Sequence, residues 1–333
     1  MHTGAKIFVA GHKGLVGSAL VRRLTAAGQV NLLLRTHREL DLTNQNAVKE
    51  FFARERPEYV FLAAAKVGGI LANSTCPGEF IYQNLLVQTN VVHQAYESGV
   101  KRLLFLGSSC IYPKYAPQPI SEECLLTGPL EPTNRAYAVA KIAGIEMCRS
   151  YNFQYDARFL AAMPTNLYGP GDHYDLENSH VIPALIRKMH EAKLTGADQV
   201  VIWGSGSARR EFLYSDDAAN ACVFLMDLPD ERLDALLANG HSFPIVNIGC
   251  GNDVTIRGLA ELIAEVVGFS GDLVFDSSKP DGTPRKLLDI SHLAALGWKH
   301  ATELREGLMR TYGDFQEHQF HTQGVRSDSL RAS

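Results

Sequence analysis

The sequence predicts an α/β protein with a Rossmann-type doubly wound parallel sheet and a smaller α/β lobe at the C-terminal side. Three observations support this fold class. Short apolar runs alternate with stretches of helical periodicity through the first part of the chain. A glycine-rich turn joins the first run to the first helix. Beyond Pro132 the alternation loosens, and Pro-, Gly- and polar-rich stretches separate the elements.

The first part of the chain supplies the predicted sheet. Continuous apolar runs are typical of parallel strands that are covered on both faces. They predict strands over residues 6–10, 30–34, 59–63 and 102–106. Apolar residues at helical spacing predict helices over residues 15–27, 46–54 and 80–98.

The second part divides between the sheet and the lobe. Its patterns predict helices over 137–151, 182–191 and 216–228, and strands over 158–163, 200–203 and 245–248. We assign residues 1–165 to the cofactor-binding Rossmann domain, with a return at about 212–250. Residues 166–211 and 251–320 form a substrate-binding lobe. Residues 229–243 are expected to form a surface loop, and 321–333 a polar tail.

Composition excludes several classes of function. The 333 residues carry a net charge of −4, which argues against nucleic-acid binding through a basic surface. An apolar run of roughly 20 residues, as a membrane span needs, is not present in the sequence. The six cysteines form neither a Cys-x-x-Cys pair nor a cluster with metal-ligand spacing. We therefore expect a cytoplasmic protein with reduced thiols and with no metal, membrane or nucleic-acid partner.

The glycine-rich turn is the first candidate site. Its position between a strand and a helix favours dinucleotide binding, because the glycines allow a tight turn and a close approach of the pyrophosphate. The amino terminus of the helix then faces the phosphate charge. The predicted contacts are Gly11, His12, Lys13, Gly14, Leu15, Val16 and Gly17.

The end of the second strand indicates which nicotinamide cofactor binds. NAD enzymes usually place an acidic residue there for the ribose 2′-hydroxyl, but this chain continues with Arg35, Thr36 and His37. Basic groups in this region attract a 2′-phosphate, although each is also an ordinary residue for a solvated loop. The missing acid and the nearby bases favour NADP(H). Asp41 and Leu42 are expected beside the adenine.

A serine, a tyrosine and a lysine form the candidate catalytic set. Tyr137 and Lys141 are four residues apart and share one face of a predicted helix. An ammonium close to the phenol lowers the pKa of the tyrosine, which suits proton exchange with a carbonyl oxygen. Ser108 follows the fourth strand at its carboxyl end, where α/β sheets bind ligands.

Cys110 lies in the same loop as Ser108. A free cysteine is most often a small buried apolar residue. A thiol of pKa about 8.5 is also within reach of base catalysis when a cation lowers that value. Carbons beside a ketone carry acidic hydrogens, so a thiolate here is suited to removing one of them. Such a reaction also needs an acid on the opposite face of the substrate.

Cationic and aromatic residues of the second part suit an anionic substrate. Arg210 follows a glycine turn, and Lys188 lies on the predicted helix 182–191. A diphosphate would bind such groups. Trp203 is suited either to stacking on a base or sugar or to a place in the core. The polar segment 281–286 completes this group.

These segments together resemble the GDP-L-fucose synthase family of the extended short-chain dehydrogenase/reductase superfamily. The resemblance covers about residues 5–316 and is most specific at 63–69, 106–114, 163–170, 178–183 and 279–286. It implies NADPH-dependent 3,5-epimerisation and 4-reduction of GDP-4-keto-6-deoxy-D-mannose by a homodimer. Members often carry arginine where this chain has Lys13, His37 and Lys188.

The resemblance also implies a role for individual residues. Tyr137 would protonate the C4 oxygen while Ser108 and Lys141 polarise it. Cys110 and His180 would be the base and the acid of the epimerisations. The implied substrate contacts are Lys188, Trp203, Arg210 and Asp281. Beyond the glycine turn, Arg35, His37, Asp41 and Leu42, the expected cofactor contacts are Leu106, Gly107, Ser108, Ser109, Lys141, Pro164, Thr165, Asn166, Leu167 and His180.

Other functions share this fold. A nucleotide-sugar 4,6-dehydratase usually has Thr-Asp-Glu after the fourth strand, where this chain has Ser-Ser-Cys, and a simple 4-epimerase would share Tyr137 and Lys141. A non-catalytic NADP-sensing regulator need not retain the catalytic set. Net consumption of NADPH distinguishes the reductase from these alternatives.

Overall fold

The computed structural model describes residues 1–175, 179–237, 243–279 and 281–329. Its strands are β1 (Ile7–Ala10), β2 (Leu32–Leu33), β3 (Tyr59–Leu62), β4 (Arg102–Leu106), β5 (Phe159–Pro164), β6 (Asn166–Tyr168), β7 (Gln199–Trp203), β8 (Arg209–Tyr214), β9 (Ile245–Ile248), β10 (Asp253–Thr255), β11 (Asp272–Asp276) and β12 (Arg285–Lys286). Its helices are α1 (Leu15–Ala26), α2 (Gln45–Glu55), α3 (Ile70–Thr75), α4 (Pro77–Glu97), α5 (Arg135–Tyr155), α6 (Val181–Thr195), α7 (Ser215–Met226), α8 (Asp230–Leu237), α9 (Ile256–Val267), α10 (Ser291–Ala295) and α11 (Leu304–Ser329).

The central sheet is parallel and has the strand order β2-β1-β3-β4-β5-β9. Apolar side chains are buried on both of its faces, in two separate core clusters. Phe8 packs with Phe51 and Phe52 on one face, and Val9 joins the cluster on the other. The predicted fold class, a doubly wound parallel sheet, is therefore confirmed.

The lobe is built on short strands beside the carboxyl ends of the central sheet. β8 pairs with β6, β10 and β12, and β7 pairs with β11. A third core cluster, which includes Met189, Leu259 and Phe315, packs α6, α9 and α11 together. The chain passes from the central sheet to the lobe directly, because β6 begins two residues after β5 ends.

The prediction of a surface loop over residues 229–243 is wrong for its first half. Helix α8 occupies this region, with Asp230 and Glu231 in the first turn, where acidic residues are favoured by the helix dipole. Leu233 is buried in the core of the central sheet. Leu236 and Leu237 of the same helix pack against this core as well. Residues 238–242 lie outside the described residues.

The C-terminal region begins as a helix. α11 continues to Ser329, so the backbone of residues 321–329 in the predicted polar tail is helical. The last residues of that tail, 330–333, lie outside the described residues, as do Asn178 and Pro280 of the family-like segments. Among the described helices, none is long and apolar enough to cross a membrane.

Candidate active site

The glycine turn is shaped for a ligand that approaches the backbone closely. Gly11 has a φ of 84°, and a Cβ on it would lie 2.8 Å from the Cα atom of Ala64. A Cβ on Gly17 would lie 2.0 Å from the carbonyl oxygen of Gly11. Only glycine at both positions lets α1 start directly against the turn. Its free N–H groups then point to where a pyrophosphate would bind, so this site fits a dinucleotide.

The region after β2 carries the predicted 2′-phosphate contacts. The Arg35 guanidinium donates to the Glu55 carboxylate at 3.1 Å and to the Leu34 carbonyl oxygen at 2.8 Å. His37 is 80% exposed, and its Nδ1 atom lies 3.7 Å from the Asp41 carboxylate. The basic side chains that are exposed in this region, and so open to an incoming phosphate, are those of Lys13, His37 and Arg38.

The glycine turn contains a partly buried histidine, His12. The Nδ1 atom of His12 is buried and has no hydrogen-bond partner among the described residues. Burial, and secondarily the charge of Lys13, lowers the pKa of this imidazole. A buried polar atom without a partner is uncommon in a folded protein. At this position it is consistent with a site completed by a polar ligand.

The loop after β4, residues 107–112, is called here the Cys110 loop. Ser108 begins its short 3-10 turn (Ser109–Ile111), and its Oγ atom accepts a hydrogen bond of 3.4 Å from the backbone N–H of Cys110. The loop is fixed at its far end, where the Tyr112 hydroxyl donates to Asn247 at 2.6 Å. The serine and the thiol are therefore held at the carboxyl edge of the sheet.

Helix α5 brings Tyr137 and Lys141 to the same loop. Tyr137 packs edge-on against Phe80, with 6.3 Å between ring centroids, and its phenol hydrogen-bonds with Ser108. Lys141 is buried, and its Nζ atom donates to the carbonyl oxygen of Leu106 at 2.7 Å. The structure thus brings together the serine, tyrosine and lysine predicted from the sequence.

The proton affinities of these groups differ from the sequence-based expectation. Burial raises the pKa of Tyr137, with a further increase from Cys110, and the bond with Ser108 acts in the opposite direction. Lys141 was expected to lower this pKa, but its ammonium is directed at the Leu106 carbonyl oxygen. Burial lowers the pKa of Lys141 itself to about 8. Tyr137 therefore keeps its proton at neutral pH and is suited to donating it.

Cys110 and His180 occupy opposite environments. Cys110 is only 7% exposed, and burial raises the pKa of its thiol against the influence of Lys286, Ser108 and Lys141. His180 precedes α6 and its residue surface is open to solvent. Loss of solvent around the ring, and secondarily the charge of Lys286, lowers the pKa of the His180 imidazole. Lys286 is thus close enough to act electrostatically on both groups.

The predicted substrate residues cluster in the lobe. Trp203 is 59% exposed, and the Nζ atoms of Lys188 and Lys279 lie 5.7 and 5.4 Å from its ring centroid. Arg210 donates to the carbonyl oxygen of Asp281 at 3.2 Å. The Asp281 carboxylate accepts two hydrogen bonds of 2.8 Å from the backbone N–H and the hydroxyl of Ser205. An exposed ring flanked by cations suits a base and its phosphates.

Comparison with known proteins identifies the family. Residues 7–249 match the model of the NAD dependent epimerase/dehydratase family. The chain is 62% identical to GDP-L-fucose synthase 1 of Arabidopsis thaliana over 92% of each chain. The chain belongs to the GDP-L-fucose synthase family.

Further relatives extend the match within and beyond this family. The GDP-L-fucose synthase of Escherichia coli K12 is 53% identical, over 96% of this chain and 99% of that protein. The solved structure of MlghC, a GDP-mannoheptose C4 reductase from Campylobacter jejuni with NADP bound, is 42% identical. It covers 95% of this chain and 99% of its own, with a TM-score of 0.86.

Sequence reasoning missed Glu211, which joins the cofactor side and the substrate side of this GDP-L-fucose synthase family site. It is fully buried, and its carboxylate accepts from the backbone N–H groups of Cys250, Gly251 and Leu288 at 2.7, 2.7 and 3.1 Å. Its own carbonyl oxygen accepts from Thr165 and Asn166. An acidic residue directly before the apolar half of β8 was the available signal.

Lys286 is the second residue that the sequence did not single out. The sequence pointed to it only as part of the polar segment 281–286. Its neighbour Arg285 pairs with Asp253 at 2.5 Å, and so does Arg209 at 2.6 Å. These pairs hold β12 against β8 and β10 in the lobe. Which of the two basic residues lies opposite Arg210 depends on the strand register, and the sequence does not reveal that register.

Proposed function

We propose that this enzyme converts GDP-4-keto-6-deoxy-D-mannose into GDP-L-fucose by 3,5-epimerisation and NADPH-dependent 4-reduction. The observation that carries the proposal is the 62% identity to a GDP-L-fucose synthase over nearly the whole chain. The chemistry of the site agrees with it. A reductase set of Ser108, Tyr137 and Lys141 and an additional thiol, Cys110, share one end of the sheet.

The reduction step uses the proton of Tyr137. Because burial raises the pKa of this phenol, the proton is present at neutral pH and is available to the C4 oxygen. The Ser108 hydroxyl, already bonded to the phenol, supplies a second donor for the same oxygen. NADPH supplies the hydride when it is bound. Lys141 adds a positive charge beneath the site.

The epimerisation steps use groups that the reduction does not need. The C4 ketone makes the hydrogens on C3 and C5 acidic, and Ser108 and Tyr137 stabilise the enolate oxygen that forms when one is removed. Cys110 acts as the base in its thiolate form. His180 returns a proton from the other face. Negative charge on the enolate raises the proton affinity of the imidazole at the stage when it must be protonated.

Cofactor binding is assigned to the glycine turn and to the surrounding strand ends. Residues 11–17 hold the pyrophosphate, Asp41 and Leu42 lie beside the adenine, and residues 106–109 and 164–167 face the nicotinamide half. Lys13, His37 and Arg38 are exposed cations for the 2′-phosphate. Arg35 joins them only by leaving its ion pair with Glu55. Preference for NADP over NAD therefore depends on several weakly held charges.

Substrate binding is assigned to the lobe. Arg210 and Lys188 attract the diphosphate, and burial lowers the pKa of both cations, which an anionic ligand would reverse. Trp203 stacks on the guanine, since its ring is exposed and flanked by two lysines. Asp281 is held by Ser205 and by its own carbonyl contact with Arg210. Its position keeps the arginine at the edge of the cleft.

We also propose that the enzyme is a homodimer of the cytoplasm. The outer faces of α4 and α5 expose apolar side chains, namely Tyr82, Val139, Phe153 and Tyr155, of which Phe153 is 80% exposed. Large apolar side chains exposed on the surface of packed helices suit a protein interface. Free thiols, including Cys110, suit a reducing compartment. Light scattering on purified protein measures the assembly directly.

The experiment that tests the function combines the purified enzyme with GDP-4-keto-6-deoxy-D-mannose and NADPH. We expect one NADPH to be oxidised for each substrate consumed, with GDP-L-fucose as the product by NMR. A 4-epimerase or a dehydratase recycles its cofactor and shows no net oxidation. Binding of NADPH without turnover would instead indicate a regulator. NADPH oxidation that yields the unepimerised 6-deoxy sugar would indicate a simple C4 reductase without epimerase activity.

A further inference from the structure

A buried hydrogen bond between Tyr112 and Asn247 joins the end of the Cys110 loop to the outermost strand of the central sheet. Tyr112 is 3% exposed and Asn247 is fully buried, and the phenol donates to the amide oxygen at 2.6 Å. Asn247 interrupts the apolar run of β9. A polar side chain buried in such a strand is costly unless it is hydrogen-bonded, so its partners indicate what this residue holds in place.

The other hydrogen bonds of Asn247 reach the segments on either side of the loop's exit. Its amide nitrogen donates to the carbonyl oxygens of Ile120 at 2.9 Å and of Asp289 at 3.1 Å. Its backbone N–H donates to the Glu122 carboxylate at 2.9 Å. Ile120 and Glu122 lie on the chain that leaves the Cys110 loop, and Asp289 follows β12 of the lobe. Asn247 therefore fastens both segments to the sheet.

The two ends of the Cys110 loop are held by different strands. At its start, directly before Ser108, the backbone N–H of Gly107 donates to a carbonyl oxygen of β5 at 2.9 Å. At its end, Tyr112 is bonded to β9. Cys110 lies between these two points, on the short 3-10 turn. The serine is thus next to the first point, whereas the place of the thiol depends on both.

Loss of the second point would release the turn without unfolding the loop. Ile111, between the thiol and Tyr112, is fully buried in the core of the central sheet and keeps the loop packed. The released turn leaves Cys110 free to shift relative to a bound substrate. A misplacement of about 1 Å in a reacting group can slow a reaction by roughly 10²-fold. Proton abstraction by the thiolate is therefore the step most sensitive to this bond.

We propose that Asn247, acting through the Tyr112 hydroxyl, is a positioning residue that holds Cys110 in place for the epimerisations. The proposal rests on the proposed function, since it assigns a support to the base of that reaction. Hydride transfer at C4 depends much less on this pair. Its proton donors, Ser108 and Tyr137, are held by the near end of the loop and by α5.

A purely structural role of the pair makes a different prediction, because it would lower stability and leave both reactions of the folded enzyme unchanged. Tyr151→Phe is the matched control. The Tyr151 hydroxyl lies 2.9 Å from the Nδ1 atom of His93, and its ring stacks on that of Phe159 at a centroid distance of 6.3 Å. Phe159 begins β5, so this control loses a tyrosine hydrogen bond at the edge of the sheet opposite the Cys110 loop.

The test measures the two halves of the reaction separately in the wild type, Tyr112→Phe and Tyr151→Phe. Epimerisation is followed as deuterium incorporation at C3 and C5 of GDP-4-keto-6-deoxy-D-mannose, with NADP⁺ bound so that no reduction follows. Hydride transfer is followed in reverse, as NADPH formed from GDP-L-fucose and NADP⁺ in a single turnover. In Tyr112→Phe we expect the exchange to slow roughly 10- to 10²-fold, with hydride transfer close to that of the wild type. Tyr151→Phe should match the wild type in both.

The order of the loop can also be measured without substrate. Cys110 is only 7% exposed, so a released loop should increase its rate of alkylation by iodoacetamide at a fixed pH. We expect an increase of up to about tenfold in Tyr112→Phe, the factor that corresponds to one hydrogen bond. Mass spectrometry of the Cys110 peptide separates this thiol from the other cysteines.

Asn247→Ala tests whether the two residues act together. Exchange in this variant should slow at least as much as in Tyr112→Phe, and the double variant should be no slower than Asn247→Ala alone. If Asn247→Ala does not fold, Tyr112→Phe decides the question by itself, since it removes one hydroxyl and keeps the ring.

Exchange at the wild-type rate in Tyr112→Phe overturns the proposal, whatever the rate of alkylation. An equal slowing of exchange and hydride transfer overturns it as well, because the bond would then serve the whole site. Failure of the proposed function gives a different result. In that case the wild type itself neither exchanges the C3 and C5 hydrogens nor forms NADPH from GDP-L-fucose.

Discussion

The Nζ atom of Lys141 lies 2.7 Å from the carbonyl oxygen of Leu106, the residue that ends β4 and precedes the Cys110 loop. This bond fastens α5 to the end of the strand and places the buried ammonium beside Tyr137, 5.8 Å from its ring centroid. The same lysine therefore contributes to the architecture of the site and to its charge.

Lys141 gives the enzyme a predictable response to pH. Its pKa is lowered by burial from 10.5 to about 8, so the folded state releases this proton before the unfolded state does. Between these values the unfolded chain binds more protons, and the free energy of unfolding therefore rises with pH. Relative to Lys141→Met, the wild type should gain up to roughly 3 kcal/mol between pH 8 and 10.5. Urea titrations across this range measure the difference, and parallel curves for the two proteins would contradict it.

Tyr137→Phe should abolish most of the reduction while it preserves the fold. The ring still packs against Phe80, but the proton for the C4 oxygen is lost. We expect NADPH oxidation to slow by roughly 10²- to 10⁴-fold, as for the loss of a general acid. Tyr82→Phe, at an exposed tyrosine of α4, is the matched control. Comparable rates in the two variants would show that Tyr137 is not the donor.

Cys110→Ser should separate the two halves of the reaction. A hydroxyl of similar size keeps the contact with Ser108 but is a much weaker acid than a thiol, so it supplies no base at neutral pH. Incubated with substrate in deuterated water, the variant should incorporate deuterium at C3 and C5 at least roughly 10²-fold more slowly, as for a lost general base. Cys76→Ser, at an exposed position, should behave as the wild type. The measurement is NMR of the recovered sugar.

Glu211→Gln should weaken the junction between the sheet and the lobe. The carboxylate accepts backbone N–H groups with both oxygens, and an amide would present its own N–H₂ group to one of them. The expected loss is about 1–3 kcal/mol in the free energy of unfolding. Glu261→Gln, on the exposed side of α9, provides the comparison. Equal stability of the two variants would mean that the Glu211 bonds are replaceable.

Trp203→Ala should affect substrate binding and leave the chemistry unchanged. Stacking of a base on an aromatic ring is worth about 1–3 kcal/mol, so the KM should rise roughly tenfold or more with little change in kcat. Trp203→Phe retains a ring and should show a smaller rise. An unchanged KM in the alanine variant would place the guanine elsewhere. Steady-state kinetics with varied substrate decide between these outcomes.

The sequence by itself determined the fold class and the family, and it singled out the candidate catalytic residues. The apolar runs 6–10, 59–63 and 102–106 contain buried parallel strands because local periodicity and burial agree there. The run 30–34 forms only the half-buried strand Leu32–Leu33. The need for glycine before α1 is also a local property, because the tight turn leaves no room for a side chain at these positions. Ser108, Tyr137 and Lys141 were recognisable because their spacing marks one loop and one helix face.

Only the tertiary structure decided what surrounds those residues. Burial raises the pKa of Tyr137, which the sequence had predicted to be lowered, and the Lys141 ammonium donates to the Leu106 carbonyl oxygen. The places of Glu211 and Lys286 depend on segments that pair across long sequence separations. Lys286 lies in register with Arg210, and the backbone of Ile120 bonds with Leu287 and Asp289. Such contacts are set by strand register and by the packing of the lobe on the sheet, which local patterns do not encode.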